Sequence, residues 1–195
     1  HKAIDFGFIG YGHESLSLFL ENYGNYEIYE KLNGFCYRKG GEIKINPYID
    51  DSTCFYKLGN PARDLINNNK YYNILTSRRN FTVFLSGTGC TFQCKFCTAR
   101  FNKFRLRTTD ELMGEIEDCY YHYKIREIDF YDQVFTINKK RTIEICKRLI
   151  EKKYDLVFSV RTRTDLVDIE MLEYLKKAGC IRIMYGIESG GQQIL

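Results

Sequence analysis

From Phe81 onward the apolar positions alternate between two periods. Short runs rich in β-branched and aromatic residues, "FTVFLS" (81–86), "IDFYDQVF" (128–135), "LVFSVRT" (156–162) and "IRIMYGI" (181–187), read as strands. Between them apolar residues recur at three- and four-residue intervals, as they do on one side of a helix. The first helix is announced by "TTDE", where Thr108 and Glu111 stand at capping-box spacing, and it continues through Leu112, Ile116, Cys119 and Tyr120. A second, over 138–153, is expected to bury Ile143, Cys146 and Leu149. A third, over 168–178, stops before Gly179, a residue suited to the left-handed turn that ends helices. The order βαβαβαβ requires parallel strands joined by right-handed crossovers. The fold class is therefore α/β, a partial (β/α) barrel with about four parallel strands. A complete eight-fold barrel needs about 250 residues, and this segment ends where a fourth helix would begin, at "GGQQIL".

The residues before Phe81 follow a different pattern. "AIDFGFIGYGHESLSLFL" reads as a strand, a glycine turn and an amphipathic helix, and "GFCYRKGGEIKIN" as a hairpin turning at "KGGE". The next stretch holds both prolines in or near it and a polar "NNN" run, the marks of a linker. Three segments are thus expected: an α/β remnant with a hairpin over 1–50, a linker over 51–80 and the partial barrel over 81–195. The chain lacks an initiator Met and starts in mid-pattern, so it is expected to be an excerpt from a longer protein.

Composition narrows the picture. The chain of 195 residues is 44% hydrophobic and 28% charged, enough to bury a core and remain water-soluble. No apolar run approaches the roughly 18 to 20 residues that span a bilayer, and no leader-like segment opens the chain, so a cytoplasmic location without membrane is expected. The net charge of +4 is dispersed over 29 basic and 25 acidic residues, too weak a bias to point to nucleic acid. The eight cysteines carry more information. Without a secretion signal they read as reduced thiols. Cys36, Cys54, Cys119, Cys146 and Cys180 stand apart among apolar or helical residues, as packing thiols do.

The other three, Cys90, Cys94 and Cys97, lie in "GTGCTFQCKFCTARF" directly after the first barrel strand. A zinc site closes a tetrahedron with four donors, commonly two separated pairs. This cluster has no second pair, and His1, His13 and His122 are all distant from it in sequence. Three thiolates on one loop suit an iron–sulfur cube, with one iron left for a ligand that is not protein. A zinc-binding structural module is the reading of another class.

The CxxxCxxC spacing, with Phe96 before its last cysteine, resembles the radical S-adenosylmethionine (radical SAM) enzymes. That resemblance implies a [4Fe-4S] cluster on Cys90, Cys94 and Cys97, whose open iron chelates S-adenosylmethionine for reductive cleavage to a 5'-deoxyadenosyl radical. It also implies a flavodoxin or ferredoxin as electron donor. Later strand ends match the family in turn. "FYDQVFT" resembles the stretch that meets the methionine amino group, which places Tyr131, Asp132 and Gln133 there. "VRTRTDLVD" resembles the ribose and carboxylate stretch and places Arg161 and Arg163, although many relatives carry an acidic or amide residue where this chain has Arg161. "YGIESG" places Glu188, Ser189 and Gly190 at the cofactor. The amino-terminal pattern, with "NPARDL", resembles the end of the cobalamin-binding domain and linker of the B12-binding branch. Here Gly10, Tyr11, Gly12 and His13, followed by Glu14, replace the usual Gly-Glu-Gly-Glu turn. The resemblance implies cobalamin in the parent protein, a small-molecule substrate, and methyl transfer or ring formation. A methylthiotransferase-type enzyme modifying RNA or protein is the alternative within the superfamily.

Overall fold

The computed structural model describes residues 3–49, 59–98, 103–191 and 193, and the chain divides into two units between Gly59 and Asn60. In the first unit, strand β1 (Phe6–Phe8) pairs antiparallel with β2 (Phe35–Lys39), and β2 pairs with β3 (Glu42–Ile45). The hairpin between β2 and β3 turns on Gly40 and Gly41, whose φ of 60° and 85° belong to a left-handed two-residue turn. Helices α1 (His13–Glu21) and α2 (Tyr26–Tyr29) pack their aromatic residues on this sheet. The core is Phe19, Tyr29, Leu32, Phe35 and Tyr37, with Phe6 and Phe8 against it. Helix α1 buries Ser15 and Phe19 and leaves Leu16, Leu18 and Leu20 exposed, because three short strands cover only one line of its side chains.

The second unit is built on a parallel sheet in the order β4 (Phe81–Phe84), β7 (Glu127–Phe130), β8 (Val157–Arg163) and β9 (Cys180–Gly186). A two-stranded antiparallel ribbon, β5 (Gly87–Thr88) with β6 (Arg105–Leu106), rises after β4. Helices α3 (Thr109–Tyr121), α4 (Lys139–Lys152) and α5 (Ile169–Lys177) cover one face of the sheet. Alternation along each strand sorts the two faces. Ile128, Phe130, Phe158 and Val160 join Leu112, Ile116, Ile145, Leu149 and Met171 in the core beneath the helices. Asp129, Ser159, Arg161 and Arg163, at alternate positions, therefore belong to the opposite face.

Local signals set the element ends. The Thr108 side chain accepts the Glu111 amide, and the Glu111 carboxylate accepts the Thr108 amide, so both halves of the capping box form. Asn138 and Asp168 cap α4 and α5 by single bonds, their side chains accepting the Arg141 and Met171 amides. Gly179 follows α5 at φ +100°, and a Cβ there would lie 2.6 Å from the Leu156 carbonyl oxygen. One detail of the helical pattern changes: Ile145, with Cys146 and Leu149, points into the core, while Ile143 is only half-buried. Capping by Asn138 fixes the rotation of α4, and with that rotation Arg141, Thr142 and Ile145 share the inner face.

Residues 60–80, read from their polarity as part of a linker, pack with the second unit. Charged side chains hold them. Arg63, 5% exposed, donates to Glu115 of α3 at 2.6 Å, and Glu115 also pairs with Arg107. The Arg63 guanidinium lies over the Phe84 ring at 4.9 Å. At the amino-terminal end of the strands, the buried Glu127 carboxylate accepts from the amides of Ser77 and Arg78 and from the Ser77 hydroxyl, at 2.7 to 3.0 Å. A polar segment is thus fastened through a buried ion pair and hydrogen bonds to a buried carboxylate rather than through apolar area.

Candidate functional site

The carboxyl ends of the parallel strands converge on one cavity of about 330 Å³. Cys90, Cys94 and Cys97, from the excursion that β5 and β6 begin and close, form one wall with Phe92 and Phe96. Gln133 and Val134 come from the end of β7, Arg161 to Arg163 from β8, and Met184 to Gly186 with Glu188 from β9 and the residue stretch after it. The three thiols are free of disulfides and half-buried, and the Cys97 amide donates to the Cys94 carbonyl at 3.0 Å, which tightens the loop between them. Residues 99–102 of this excursion lie outside the described residues.

Two guanidiniums face this cavity, each paired with an aspartate. Arg161 donates from Nη1 and Nη2 to both oxygens of Asp129, at 2.8 and 3.1 Å, and from Nη1 to the Phe130 carbonyl at 2.8 Å. The Ser159 hydroxyl adds a bond to Asp129, and the Tyr131 ring lies 3.8 Å from the guanidinium carbon. Arg161 is therefore a locked, neutralised fork. Arg163 pairs with Asp165 through two bonds of 2.9 Å, stacks on Phe92 at 4.0 Å and brings Nη1 to 3.8 Å from Cys94 Sγ. Its pairing with Asp165 is the main reason its pKa is held above the usual value. Glu188 reaches the cavity at φ +60°, and Gly186 leaves room for it, since a Cβ there would lie 2.8 Å from Glu188 Oε1.

The residues picked from the sequence divide in the structure. Phe96, Gln133, Arg161, Arg163 and Glu188 join the three cysteines at the cavity, Phe96 on its exposed rim. Tyr131 supports Arg161 from beside it. The Ser189 hydroxyl accepts the Gly191 amide at 3.0 Å, and neither Ser189 nor Gly190 is among the residues that line the cavity. Asp132 is not among the residues that line the cavity. It is 2% exposed, and its carboxylate accepts the amide and hydroxyl of Ser86 at 2.7 and 2.5 Å. Burial pushes its pKa up while the Ser86 bonds pull it down. Asp132 thus holds the turn after β4 rather than the cavity wall. Asp129, Thr162 and Met184 were not singled out from the sequence. An aspartate between Ile128 and Phe130 in a buried strand was the available signal for the first, since such a charge needs a partner.

Burial sets three of the other cysteines apart from these. Burial pushes the thiols of Cys119 and Cys146 up to about 12 and that of Cys180 to about 11. Cys36 is half-buried in the first unit, and Cys54 lies outside the described residues. Among the described residues, no three His, Cys, Asp or Glu side chains converge as closely as a single metal ion requires. Three free thiols from one loop on the wall of an open cavity supply the donor chemistry of an iron–sulfur cluster with a position left for an exchangeable ligand.

A parallel β/α sheet with three free thiols at the carboxyl end of its first strand defines a class of cofactor-dependent enzyme. The family model described as the radical SAM superfamily matches residues 84–195, and the chain belongs to that superfamily. It is 29% identical over 165 residues to an uncharacterised methyltransferase of Pyrococcus horikoshii, covering 83% of this chain and 35% of that protein. It is 31% identical over 108 residues to the anaerobic magnesium-protoporphyrin IX monomethyl ester cyclase of Rubrivivax gelatinosus, covering 53% of this chain and 20% of the cyclase. Among solved structures, the cobalamin-dependent S-adenosylmethionine radical enzyme OxsB superposes with a TM-score of 0.74 at 20% identity, over 97% of this chain and 28% of that one. The chain therefore spans about a third or less of these relatives.

Proposed function

We propose that the protein containing this chain is a radical SAM methyltransferase of the cobalamin-dependent kind, acting on a small molecule. The observation that carries the proposal is the position of Cys90, Cys94 and Cys97 on the wall of a cavity that also presents Gln133, Arg163 and Glu188. In this reading the three cysteines hold a [4Fe-4S] cluster. When bound, that cluster supplies one electron and an open iron for the reductive cleavage of S-adenosylmethionine.

The side chains around it bind and orient. The Glu188 carboxylate accepts from an ammonium group, and the Gln133 amide can serve either end of an amino-acid moiety. Arg163, shared with Asp165, offers Cys94 a hydrogen-bond donor through Nη1. Arg161 offers hydrogen bonds but little net charge, because Asp129 already neutralises it. Phe92, Val134 and Met184 keep water from the apolar part of the cavity. A flavodoxin or ferredoxin is the reductant in this proposal. Cobalamin and methyl transfer enter through the relatives alone, and no residue of this chain is assigned to cobalamin.

The test is anaerobic reconstitution of the full chain with iron and sulfide, followed by electron paramagnetic resonance of the reduced protein. A cubane signal that shifts on adding S-adenosylmethionine, and is lost in Cys94→Ala, is the expected result. Stoichiometric zinc with no four-iron species overturns the proposal.

A further inference from the structure

The excursion that carries the three cysteines leaves the sheet at Ser86 and returns at Arg107, and a single side chain grips both points. Arg141, on the inner face of α4 and 9% exposed, donates from Nε to the Arg107 carbonyl at 2.9 Å. It donates from Nη2 to the Ser86 carbonyl at 2.9 Å and from Nη1 to the Ser86 hydroxyl at 3.3 Å. The two ends also meet directly, through the Arg107 amide and the Ser86 carbonyl at 2.9 Å. From the other side Asp132 accepts the Ser86 amide and hydroxyl and also the Gly87 amide. Ser86 is fully buried, and its amide, carbonyl and hydroxyl are all engaged. Gly87 lets the strands of the ribbon close, since a Cβ there would lie 2.7 Å from the Arg105 carbonyl oxygen and 2.6 Å from Leu106 Cδ2.

A residue whose only task is to cap a helix or fill a core does not need donors aimed at both ends of a distant loop. Arg141 also costs more to bury than an apolar residue in the same place, and its hydrogen bonds to both ends of the excursion are what offset that cost. We propose that Arg141 and Asp132 are positioning residues for the thiols. They clamp the mouth of the 87–106 excursion and so fix where Cys90, four residues past Ser86, and then Cys94 and Cys97 stand relative to one another. The inference rests on the proposed cluster-binding role of those cysteines, and it gives Asp132 a supporting role behind the cavity wall. Outer partners that orient metal ligands are commonly worth about 10- to 100-fold in metal affinity.

The experiment compares Arg141→Met, Arg141→Lys and the milder Ser86→Ala with Leu149→Ala, a core variant on the same helix that touches neither end of the excursion. Folding is followed by circular dichroism and thermal unfolding. After anaerobic reconstitution of the full chain, the rate at which a chelator strips iron is measured. Arg141→Met is expected to lose iron about tenfold faster or more, Arg141→Lys to recover some of the difference, and Ser86→Ala to shift in the same direction by less. Cluster-free protein supplies an independent readout: amide exchange at Gly87, Thr88 and Arg107 rises in Arg141→Met, or in Ser86→Ala should the former fail to fold, and stays unchanged in Leu149→Ala. Iron loss and exchange no faster than in Leu149→Ala overturn the proposal. A wild-type chain that takes up no four-iron cluster sinks the cluster reading instead, while exchange still decides whether the clamp exists.

Discussion

Replacing Glu115 by Gln tests how the segment 60–80 is fastened to the sheet. The carboxylate is 2% exposed and lies between Arg63, 5% exposed, and Arg107, 14% exposed. Arg107 can swing toward water when its partner is neutralised, and Arg63 cannot. One of its nitrogens, Nη1, has no hydrogen-bond partner among the described residues, and Nε has only a long 3.4 Å bond to the Thr82 hydroxyl, so the deep guanidinium depends mainly on Glu115 and on the Phe84 ring. At an effective dielectric of about 20, unit charges about 4 Å apart attract by about 4 kcal/mol. Repulsion between the two arginines removes some of this, and leaving a buried charge unpaired costs about 3 to 5 kcal/mol in comparable cases. We therefore expect Glu115→Gln to destabilise the second unit by about 3 kcal/mol. For a unit of this size that is a fall of about 10 °C in Tm. Urea titration followed by tyrosine fluorescence measures the loss. The double variant Arg63→Met with Glu115→Met removes both charges and is expected to regain most of it, because well-packed apolar pairs replace buried ion pairs at little cost. A loss under about 1 kcal/mol in the single variant, or a double variant as unstable as the single, refutes the reasoning.

Thr108→Ala removes the cap of α3 and is expected to cost about 1 kcal/mol. Hydrogen bonds from the Thr108 side chain, and then its backbone, hold the Glu111 carboxyl below the usual range. The share carried by Glu111 is therefore present above about pH 4.3 and disappears as the pH falls through its lowered pKa, so the wild-type advantage should shrink in acid unfolding curves. Gly179→Ala forces a side chain into a φ of +100° against the Leu156 carbonyl and should lower stability by about 1 to 3 kcal/mol in thermal unfolding. In cluster-free protein at pH 8, iodoacetamide followed by peptide mass mapping is expected to label Cys90, Cys94 and Cys97 well before Cys119 and Cys146, whose thiols burial holds up at about 12. Equal labelling of the two groups contradicts the burial argument.

Much of this protein is legible in its sequence because the informative signals are local. Apolar period separates strand from helix, Thr108 and Glu111 start α3, Gly179 ends the turn after α5, and Gly40 with Gly41 fixes the hairpin. The three cysteines fall within one short loop, so their association needs no knowledge of the fold. Contacts between distant segments are another matter, since they depend on which faces the packed elements present to each other. Only the tertiary structure pairs Arg161 with Asp129, buries Arg63 against Glu115 and turns Asp132 away from the cavity toward Ser86. In sequence each of these is an ordinary charge that water would satisfy. Once buried, each must find a partner, and the partner lies 32, 52 or 46 residues away along the chain. The sequence by itself determined the elements and the thiol loop. Packing decided which charges line the cavity and which hold its frame, because the cost of an unpaired buried charge exists only after the water has gone.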